Sequence, residues 1–438
     1  MATRHIGGIV TGCLAGGLAV ALVLVLGPLA GAREPVITGT VLLTCAASWA
    51  LLAIASTLWT AHPQSWAVAL AAFMAAAGVA LLVFAPGDSV IAAAGWVWPP
   101  LLLALLARTA MRVHRDLHGR ARTWLVYPLL AGYALCALGG GYQTVRESID
   151  RRTYVGPGEL VDVGGHRLHL NCAGSGRPAV ILESGLGEGG AYWGWISAAV
   201  AHDTKVCAYD RAGRGWSDPV SAPQDGVAVA RDLNVLLERA RIQAPFVLVG
   251  HSSGAQYVRI FAGQYPEQVA GMVLLDGQPA DAFEDLPSYP AFYSRFRRIS
   301  GLLPSLARLG VGRVVFHAGF ADLPPPARDM QRLHYSSARH YRSLRDELAE
   351  LPASLAQARS LQSLGHRPLV VVTAARGAQV GWLPLQDSMA TLSTNSSHRV
   401  VPYTHAALVT DATAAETSRQ AIRDVVQAVR SDTPLEES

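Results

Sequence analysis

Between Ile6 and Val145 the chain carries five long apolar stretches, and none of them contains an Asp, Glu, Lys or Arg. They are Ile6–Ala30, Val36–Trp59, Trp66–Ala85, Ser89–Ala107 and Trp124–Val145. Hydrocarbon about 30 Å thick takes about 20 apolar residues to cross as a helix, and only helices or closed barrels satisfy their own backbone groups there. Residues 1–145 are therefore expected to form an all-α membrane domain of about five transmembrane helices. Trp59, Trp66, Trp96, Trp98 and Trp124 lie near span ends, where indole rings anchor at the membrane–water interface. Pro99-Pro100 interrupts the fourth stretch and implies a kink.

The arginines set the orientation. "RTAMRVHRDLHGRAR" (108–122) holds five Arg against one Asp, and positive loops stay cytoplasmic. The fifth span then leads everything after Val145 to the outer face. Arg4 falls inside, in agreement; Arg33 falls outside, against the rule, with Glu34 beside it. Arg4, the first apolar run and Ala30-Gly31-Ala32 also fit a secretory signal with an A-x-A cleavage site. That run is long for a signal, and an uncleaved helix is the preferred expectation; cleavage would leave the same final orientation. The spans hold no ionisable carboxylate or base of the kind that marks an ion or substrate pathway, so their expected role is anchoring. Gly12 and Gly16 have G-x-x-x-G spacing, a weak signal in a glycine-rich helix.

The formal net charge is +4, and Lys205 is the one lysine, so the basic count is nearly all arginine. The arginine clusters flank apolar spans, which assigns them to membrane orientation rather than to nucleic acid. Heavy use of Ala, Gly, Arg and Pro points to a GC-rich bacterial genome.

From Arg146 onward the polarity is that of a globular protein. After a linker over 146–157, "GELVDVGGHRLHLNCAG" (158–174) alternates around Gly164-Gly165, a hairpin signature. "AVILESG" (179–185), "TKVCAYD" (204–210), "FVLVGHS" (246–252), "AGMVLLD" (270–276), "PLVVVTA" (368–374) and "HRVVPYT" (398–404) read as strands. Helical stretches such as Val227–Arg241 and Ser253–Tyr265 fall between them. Near-continuous apolar strands alternating with helices indicate an α/β fold with a mostly parallel sheet covered on both faces. The stretch 277–367 breaks the rhythm and reads as an inserted helical lid between core segments 158–276 and 368–438.

"FVLVGHSSGA" (246–255) runs a buried strand straight into a serine flanked by glycines. A hydroxyl needs a base to take its proton and donors to stabilise the resulting oxyanion. A tight strand-to-helix turn lifts Ser252 out of the sheet and aims the Ser253 N–H at a reacting carbonyl, while Gly250 and Gly254 leave room for the crowded backbone. With these motifs in order, the chain resembles the α/β-hydrolase superfamily from about Gly158 to its end. "ESGLGEGG" (183–190) looks like that family's oxyanion loop, with Ser184 where a histidine is common. "YDRAGRGWSD" (209–218) matches its D-x-x-G-x-G-x-S segment, and "YTHAALV" (403–409) places His405 just past the last strand.

The resemblance implies Ser252 as nucleophile, His405 as general base, and the N–H groups of Leu186 and Ser253 as oxyanion hole. The segment after "PLVVVTA", where many members carry the triad acid, holds no carboxylate before Asp387. Asp276, ending "MVLLD", is the preferred acid and Asp387 the alternative; Asp276 also suits a helix cap or loop organiser. Asp210 is expected to hold its glycine-rich turn and Glu183 to organise the oxyanion loop. Cys13, Cys45 and Cys136 read as small apolar residues of membrane helices. Cys172 and Cys207 fall on strands that the family fold makes neighbours, which implies a disulfide on the outer side, the alternative being two thiols. No C-x-x-C or H-E-x-x-H spacing and no phosphate-binding glycine loop occurs, so no metal or cofactor is expected.

The resemblance thus implies a membrane-anchored, lipase- or esterase-like serine hydrolase. Its expected partners are membrane lipid and a small lipophilic carboxylic ester or amide. The alternatives are a catalytically degenerate binding or sensing module of the envelope, and another reaction on the same scaffold, peptidase or haloperoxidase-like. Haloalkane dehalogenase is disfavoured, because that chemistry uses an aspartate where this chain has Ser252. The oligomeric state is not legible.

Overall fold

The computed structural model describes residues 3–60, 63–117, 126–154 and 156–435. The chain divides into two compact units, residues 1–154 with 297–314, and residues 155–296 with 315–438.

The first unit is helical: α1 (Thr3–Leu26), α2 (Glu34–Trp59), α3 (Ala67–Phe84), α4 (Asp88–Ala94), α5 (Trp98–Leu117) and α6 (Val126–Thr153). Four segments among the described residues are long and apolar enough to cross a membrane: Gly8–Leu26, Glu34–Trp59, Ala67–Phe84 and Asp88–Arg115. The chain therefore has a multi-pass membrane region. The fifth expected span, Trp124–Val145, is helical from Val126, but its polar and glycine content keeps it below that apolar standard. Trp124 and the end of the Arg-rich stretch lie outside the described residues.

The fourth span is broken between α4 and α5, and helix resumes at Trp98 with Pro99-Pro100 in its first turn. There the missing N–H groups cost no intrahelical bond. Residues 146–153, read as part of a linker, instead prolong α6. Arg146–Asp150 and Glu147–Arg151 pair one turn apart and support the extra helix. Gly39 and Gly78 bring α2 and α3 together: a Cβ on Gly39 would stand 3.0 Å from the Gly78 carbonyl oxygen.

Part of the inserted segment packs in this unit. Arg308 pairs with Glu34 and, at 2.6 Å, with Asp88. Arg313 donates to Gln143 Oε1 at 2.7 Å and Asp150 Oδ2 at 2.5 Å, and Arg297 to the Gly31 carbonyl at 2.6 Å. The expected single lid over 277–367 is thus divided between the two units.

The second unit is built on an eight-stranded sheet in the order β1-β2-β4-β3-β5-β6-β7-β8. The strands are β1 (Glu159–Asp162), β2 (Arg167–Ala173), β3 (Ala179–Glu183), β4 (Val206–Asp210), β5 (Phe246–His251), β6 (Val269–Leu275), β7 (Leu369–Arg376) and β8 (Ser396–Thr404). β2 is antiparallel to β1 and β4; the remaining pairs are parallel. The β1–β2 turn places Gly164 and Gly165 at φ +102° and +99°, a region that glycine enters without a Cβ clash. Cys172 and Cys207 are register partners on β2 and β4 and form a disulfide.

Every residue of β3, β4 and β5 is buried, because helices cover both faces. The helices that follow in the chain are α7 (Gly194–Val200), α8 (Gly226–Arg239), α9 (Gly254–Gln264), α10 (Ala282–Asp285), α11 (Tyr289–Ser300), α12 (Leu303–Arg308), α13 (Val311–Val315), α14 (Pro325–Tyr335), α15 (Ala338–Ala358), α16 (Trp382–Ala390), α17 (Ala407–Thr410) and α18 (Ala412–Ser431). α12 and most of α13 belong to the first unit. One core, with Leu248, Phe261 and Leu236, lies beneath α8 and α9; the other, with Val249, Trp193 and Ile422, lies beneath α7 and α18. This α/β architecture is the one expected from the strand pattern.

Candidate active site

The apolar run of β5 ends at His251, and the chain turns into α9 within two residues. Ser252 takes φ +54°, a left-handed conformation that costs a non-glycine residue on the order of 1–3 kcal/mol. The glycines around it are sterically required. A Cβ on Gly250 would lie 2.7 Å from Ala255 N, and one on Gly254 would lie 2.2 Å from the Glu183 carbonyl oxygen. The turn therefore presents Ser252 at the N-terminus of α9, where unpaired N–H groups and the helix dipole favour negative charge.

Asp276 follows β6 on the neighbouring strand and is buried. Its Oδ2 accepts from His405 Nδ1 at 2.6 Å; its Oδ1 accepts from Trp382 Nε1 at 2.7 Å and Ala374 N–H at 3.2 Å. A carboxylate only accepts, so the His405 proton resides on Nδ1 and the Nε2 lone pair is left available. Asp387 lies on the exposed side of α16 and bonds His398 Nδ1 at 2.5 Å. Asp276, not Asp387, is therefore the carboxylate against His405. Leu186, Ser252, Ser253, Asp276 and His405 line one cleft of about 770 Å³. Among the described residues no hydrogen bond joins Ser252 to His405, a contact that commonly tightens only when substrate is bound.

The oxyanion-loop backbone is almost fully committed. Gly185 N–H donates to Glu188 Oε2 at 2.7 Å, Gly187 N–H to Glu347 Oε2 at 3.3 Å, and Gly190 N–H to Asp210 Oδ1 at 2.8 Å. The N–H groups of Leu186 and Ser253 have no intramolecular acceptor among the described residues. Arg211 accounts for the direction of the first. Its guanidinium binds the carbonyls of Ser184 at 2.6 Å and Gly185 at 2.7 Å. In a planar trans peptide, turning the Gly185 C=O toward Arg211 turns the Leu186 N–H the opposite way.

Arg211 is one member of a buried ionic cluster that the motifs do not announce. It also pairs with Glu183 at 2.5 Å and Glu347 at 2.6 Å, and Glu347 pairs with Arg214 at 2.5 Å. Burial pushes the Glu183 carboxyl upward against the pull of Arg211, whereas the carboxylates hold Arg211 far above its ordinary value despite burial. Glu347 arrives from α15, inside the inserted segment. Glu347→Ala leaves two buried guanidinium groups short of a counter-charge, and a cost of about 3–5 kcal/mol follows. Thermal unfolding followed by circular dichroism in detergent is expected to show Tm lower by roughly 10 °C.

Asp210 organises its turn: it accepts from Gly190 N–H, from Trp216 N–H at 3.2 Å and from His169 Nδ1 at 2.9 Å. Burial opposes its ionisation, but these donors bring its carboxyl down to about 2. Glu347 and Trp382 are partners of the site that no motif signals. Glu188, Arg211 and His251 stood inside quoted motifs without an assigned role.

The cleft wall is largely apolar, with Tyr289, Phe292 and Tyr293 from α11 and Leu348 and Leu351 from α15. Arg295 and Arg376 also line it, and neither has an ion-pair or hydrogen-bond partner among the described residues. No group of three or more His, Cys, Asp or Glu suited to a metal ion occurs among the described residues.

Comparison with known proteins gives this architecture its name. Residues 178–309 match a family model described as alpha/beta hydrolase fold. An uncharacterised protein of Schizosaccharomyces pombe is 28% identical over 188 residues, covering 36% of this chain and 34% of that protein. The RutD protein of Klebsiella pneumoniae (strain 342) is 37% identical over 114 residues, covering 25% of this chain and 42% of its own. The chain thus spans well under two thirds of the length of these curated relatives. An α/β hydrolase of Nostoc sp. PCC 7120 superposes with a TM-score of 0.51 at 19% identity, covering 61% of this chain and 96% of that one. The protein DBJA superposes with a TM-score of 0.53 at 17% identity, covering 63% and 100%. At such identities the likeness concerns the fold. The chain carries an α/β-hydrolase-fold domain preceded by four long apolar helices consistent with a membrane domain.

Proposed function

We propose that the chain is a membrane-anchored serine hydrolase that cleaves a carboxylic ester through Ser252, His405 and Asp276. The observation that carries the reading is the short Asp276–His405 contact on the same cleft as a left-handed Ser252. Ser252 Oγ attacks the acyl carbon as its proton passes to His405 Nε2, and Asp276 stabilises the imidazolium. The tetrahedral oxyanion is met by the unpaired N–H groups of Leu186 and Ser253. His405 then gives the proton to the leaving alcohol. Water repeats the sequence on the acyl-enzyme, releasing the acid and restoring Ser252.

The apolar wall of the cleft suits a lipophilic ester, and the unpartnered Arg295 and Arg376 suit an anionic group on it. A non-catalytic module would be favoured by a histidine without a carboxylate partner; Asp276 lies 2.6 Å from His405 Nδ1 and speaks for the catalytic reading. Labelling the full chain in detergent with a fluorophosphonate is the direct test. A single adduct on Ser252 is expected, and folded protein that takes no label argues against the mechanism.

We also infer five crossings, with the second unit on the extracytoplasmic side. Glu34 opens α2, Asp88 opens α4 and Asp150 lies near the end of α6, yet all three meet Arg308 or Arg313 of one short segment. Consecutive spans bring those helix ends to one side only if α6 crosses as well. Residues 126–145 of α6 carry no Asp, Glu, Lys or Arg and are long enough to cross at about 1.5 Å per residue. Arg108, Arg112 and Arg115 occupy the opposite end of α5, and the positive-inside rule puts that end in the cytoplasm. The disulfide accords with an oxidising compartment. In intact cells, a cysteine replacing exposed Ser221 is expected to react with a membrane-impermeant maleimide and one replacing Arg115 is not; the reverse pattern inverts the topology.

A further inference from the structure

His251 stands inside the elbow motif, yet it takes no part in the chemistry above. Its side chain is 0% exposed. Nδ1 lies 2.9 Å from Glu188 Oε2, and Nε2 lies 3.2 Å from the main-chain carbonyl oxygen of His405. A carbonyl oxygen can only accept. So can an ionised carboxylate, and this Glu188 oxygen also accepts the Gly185 N–H at 2.7 Å. A neutral imidazole has one N–H and would press a bare nitrogen lone pair against one of these two acceptors. Only the imidazolium donates to both.

The surroundings supply the balancing charge. Glu188 faces the ring from the oxyanion loop, and the His405 ring lies over it at 4.7 Å between centroids and 34° between planes. Asp276 is reached through His405 Nδ1, and Trp193 presents its indole at 6.5 Å, nearly edge-on at 87°.

We propose that His251 is a buried imidazolium which, with Glu188, clasps the backbone of His405 to the oxyanion loop at Gly185. The two are positioning residues for the proposed hydrolysis, on which this inference rests. Neither touches the reacting atoms; each fixes something that does. Gly185 is gripped at both ends: Arg211 holds its C=O, which belongs to the peptide preceding Leu186, and Glu188 holds its N–H one peptide earlier. The other end of the clasp fixes the chain that carries the His405 ring. The balance of forces agrees with the geometry. Burial drives the His251 proton off, but the Glu188 carboxylate outweighs it and the net shift is upward. Burial likewise raises the Glu188 carboxyl, and His251 brings it below its ordinary value.

The sign of the pH dependence follows. A cation whose folded value is raised contributes fully below the free histidine value of about 6.5, and its contribution fades as pH climbs through the folded value. The clasp therefore loosens on the alkaline side.

Two readouts on the full chain in detergent test this. Ring nitrogen NMR with labelled histidine is expected to show, at about pH 7.5, a doubly protonated ring for His169, which bridges Asp210 and the Pro157 carbonyl in the same way, and a second doubly protonated signal for His251. That signal is lost in His251→Gln and becomes neutral in Glu188→Gln. In steady-state hydrolysis of an aryl ester, both variants are expected to lose about 10- to 100-fold in kcat with KM within about threefold. In Glu188→Gln the alkaline limb of the pH profile moves down by about one unit or more. A neutral His251 ring at that pH overturns the proposal, as does a wild-type kcat and alkaline limb in both variants. Should His251→Gln fail to fold, Glu188→Gln, which keeps the size and one acceptor oxygen, decides alone. If wild type hydrolyses no ester, the serine-hydrolase reading fails, while the ring NMR still reports on the charge of His251.

Discussion

Ser252→Ala is expected to lower kcat/KM toward an aryl ester by about 10⁴-fold or more and to abolish fluorophosphonate labelling, leaving the unfolding transition intact. Alanine keeps the Cβ and the turn but removes the only atom able to form the acyl bond. The residual rate belongs to the cleft, where the Leu186 and Ser253 N–H groups still meet a carbonyl that water attacks. Stability is expected to hold, since Ser252 makes no side-chain hydrogen bond among the described residues and alanine meets the same left-handed strain at this position. Hydrolysis persisting at the wild-type rate in the purified variant would sink Ser252 as nucleophile and with it the acyl-enzyme.

Asp276→Asn separates the two carboxylates left open by the sequence. The asparagine oxygen can still accept from Trp382 Nε1 and Ala374 N–H, so the side chain keeps its place. Its amide NH₂ then faces His405 Nδ1 and donates to it, forcing the ring proton onto Nε2. A histidine protonated there has no lone pair for the Ser252 proton, and a loss of about 10⁴ in kcat is the expected scale. Asp387→Asn disturbs only a surface contact with His398, and activity within about twofold of wild type is expected. Side-by-side kinetics of the two variants check the assignment, and a large loss in Asp387→Asn with little in Asp276→Asn reverses it.

The strands could be read from the sequence because each is a short apolar run bounded by turn residues, and burial on both faces leaves no alternation to confuse the pattern. The elbow was readable for a steric reason. Gly250 and Gly254 stand where any Cβ would strike backbone, so the turn writes itself into local composition. Partnerships that close over long sequence separations were not readable. Glu347 reaches Arg211 across 136 residues and Trp382 reaches Asp276 across 106, and nothing local to either residue signals its partner. The break between α4 and α5 was anticipated at Pro99-Pro100 but falls just before it, because proline fits the first turn of a new helix better than the end of an old one. The continuation of α6 to Thr153 was masked by charge: its pairs one turn apart resemble a solvated linker until the periodicity is counted.

The route of the chain has a practical consequence. Residues 297–314 lie with the first unit although the polypeptide on either side of them lies with the second, so the backbone passes between the units three times. One protease cut near residue 155 would separate the chain into two polypeptides, yet residues 297–314, which pack in the first unit, would stay covalently part of the second piece. A truncated chain beginning at that point would still carry Arg308 and Arg313, now severed from Glu34, Asp88 and Asp150. Excising the α/β-hydrolase-fold domain cleanly means replacing that excursion with a short bridge.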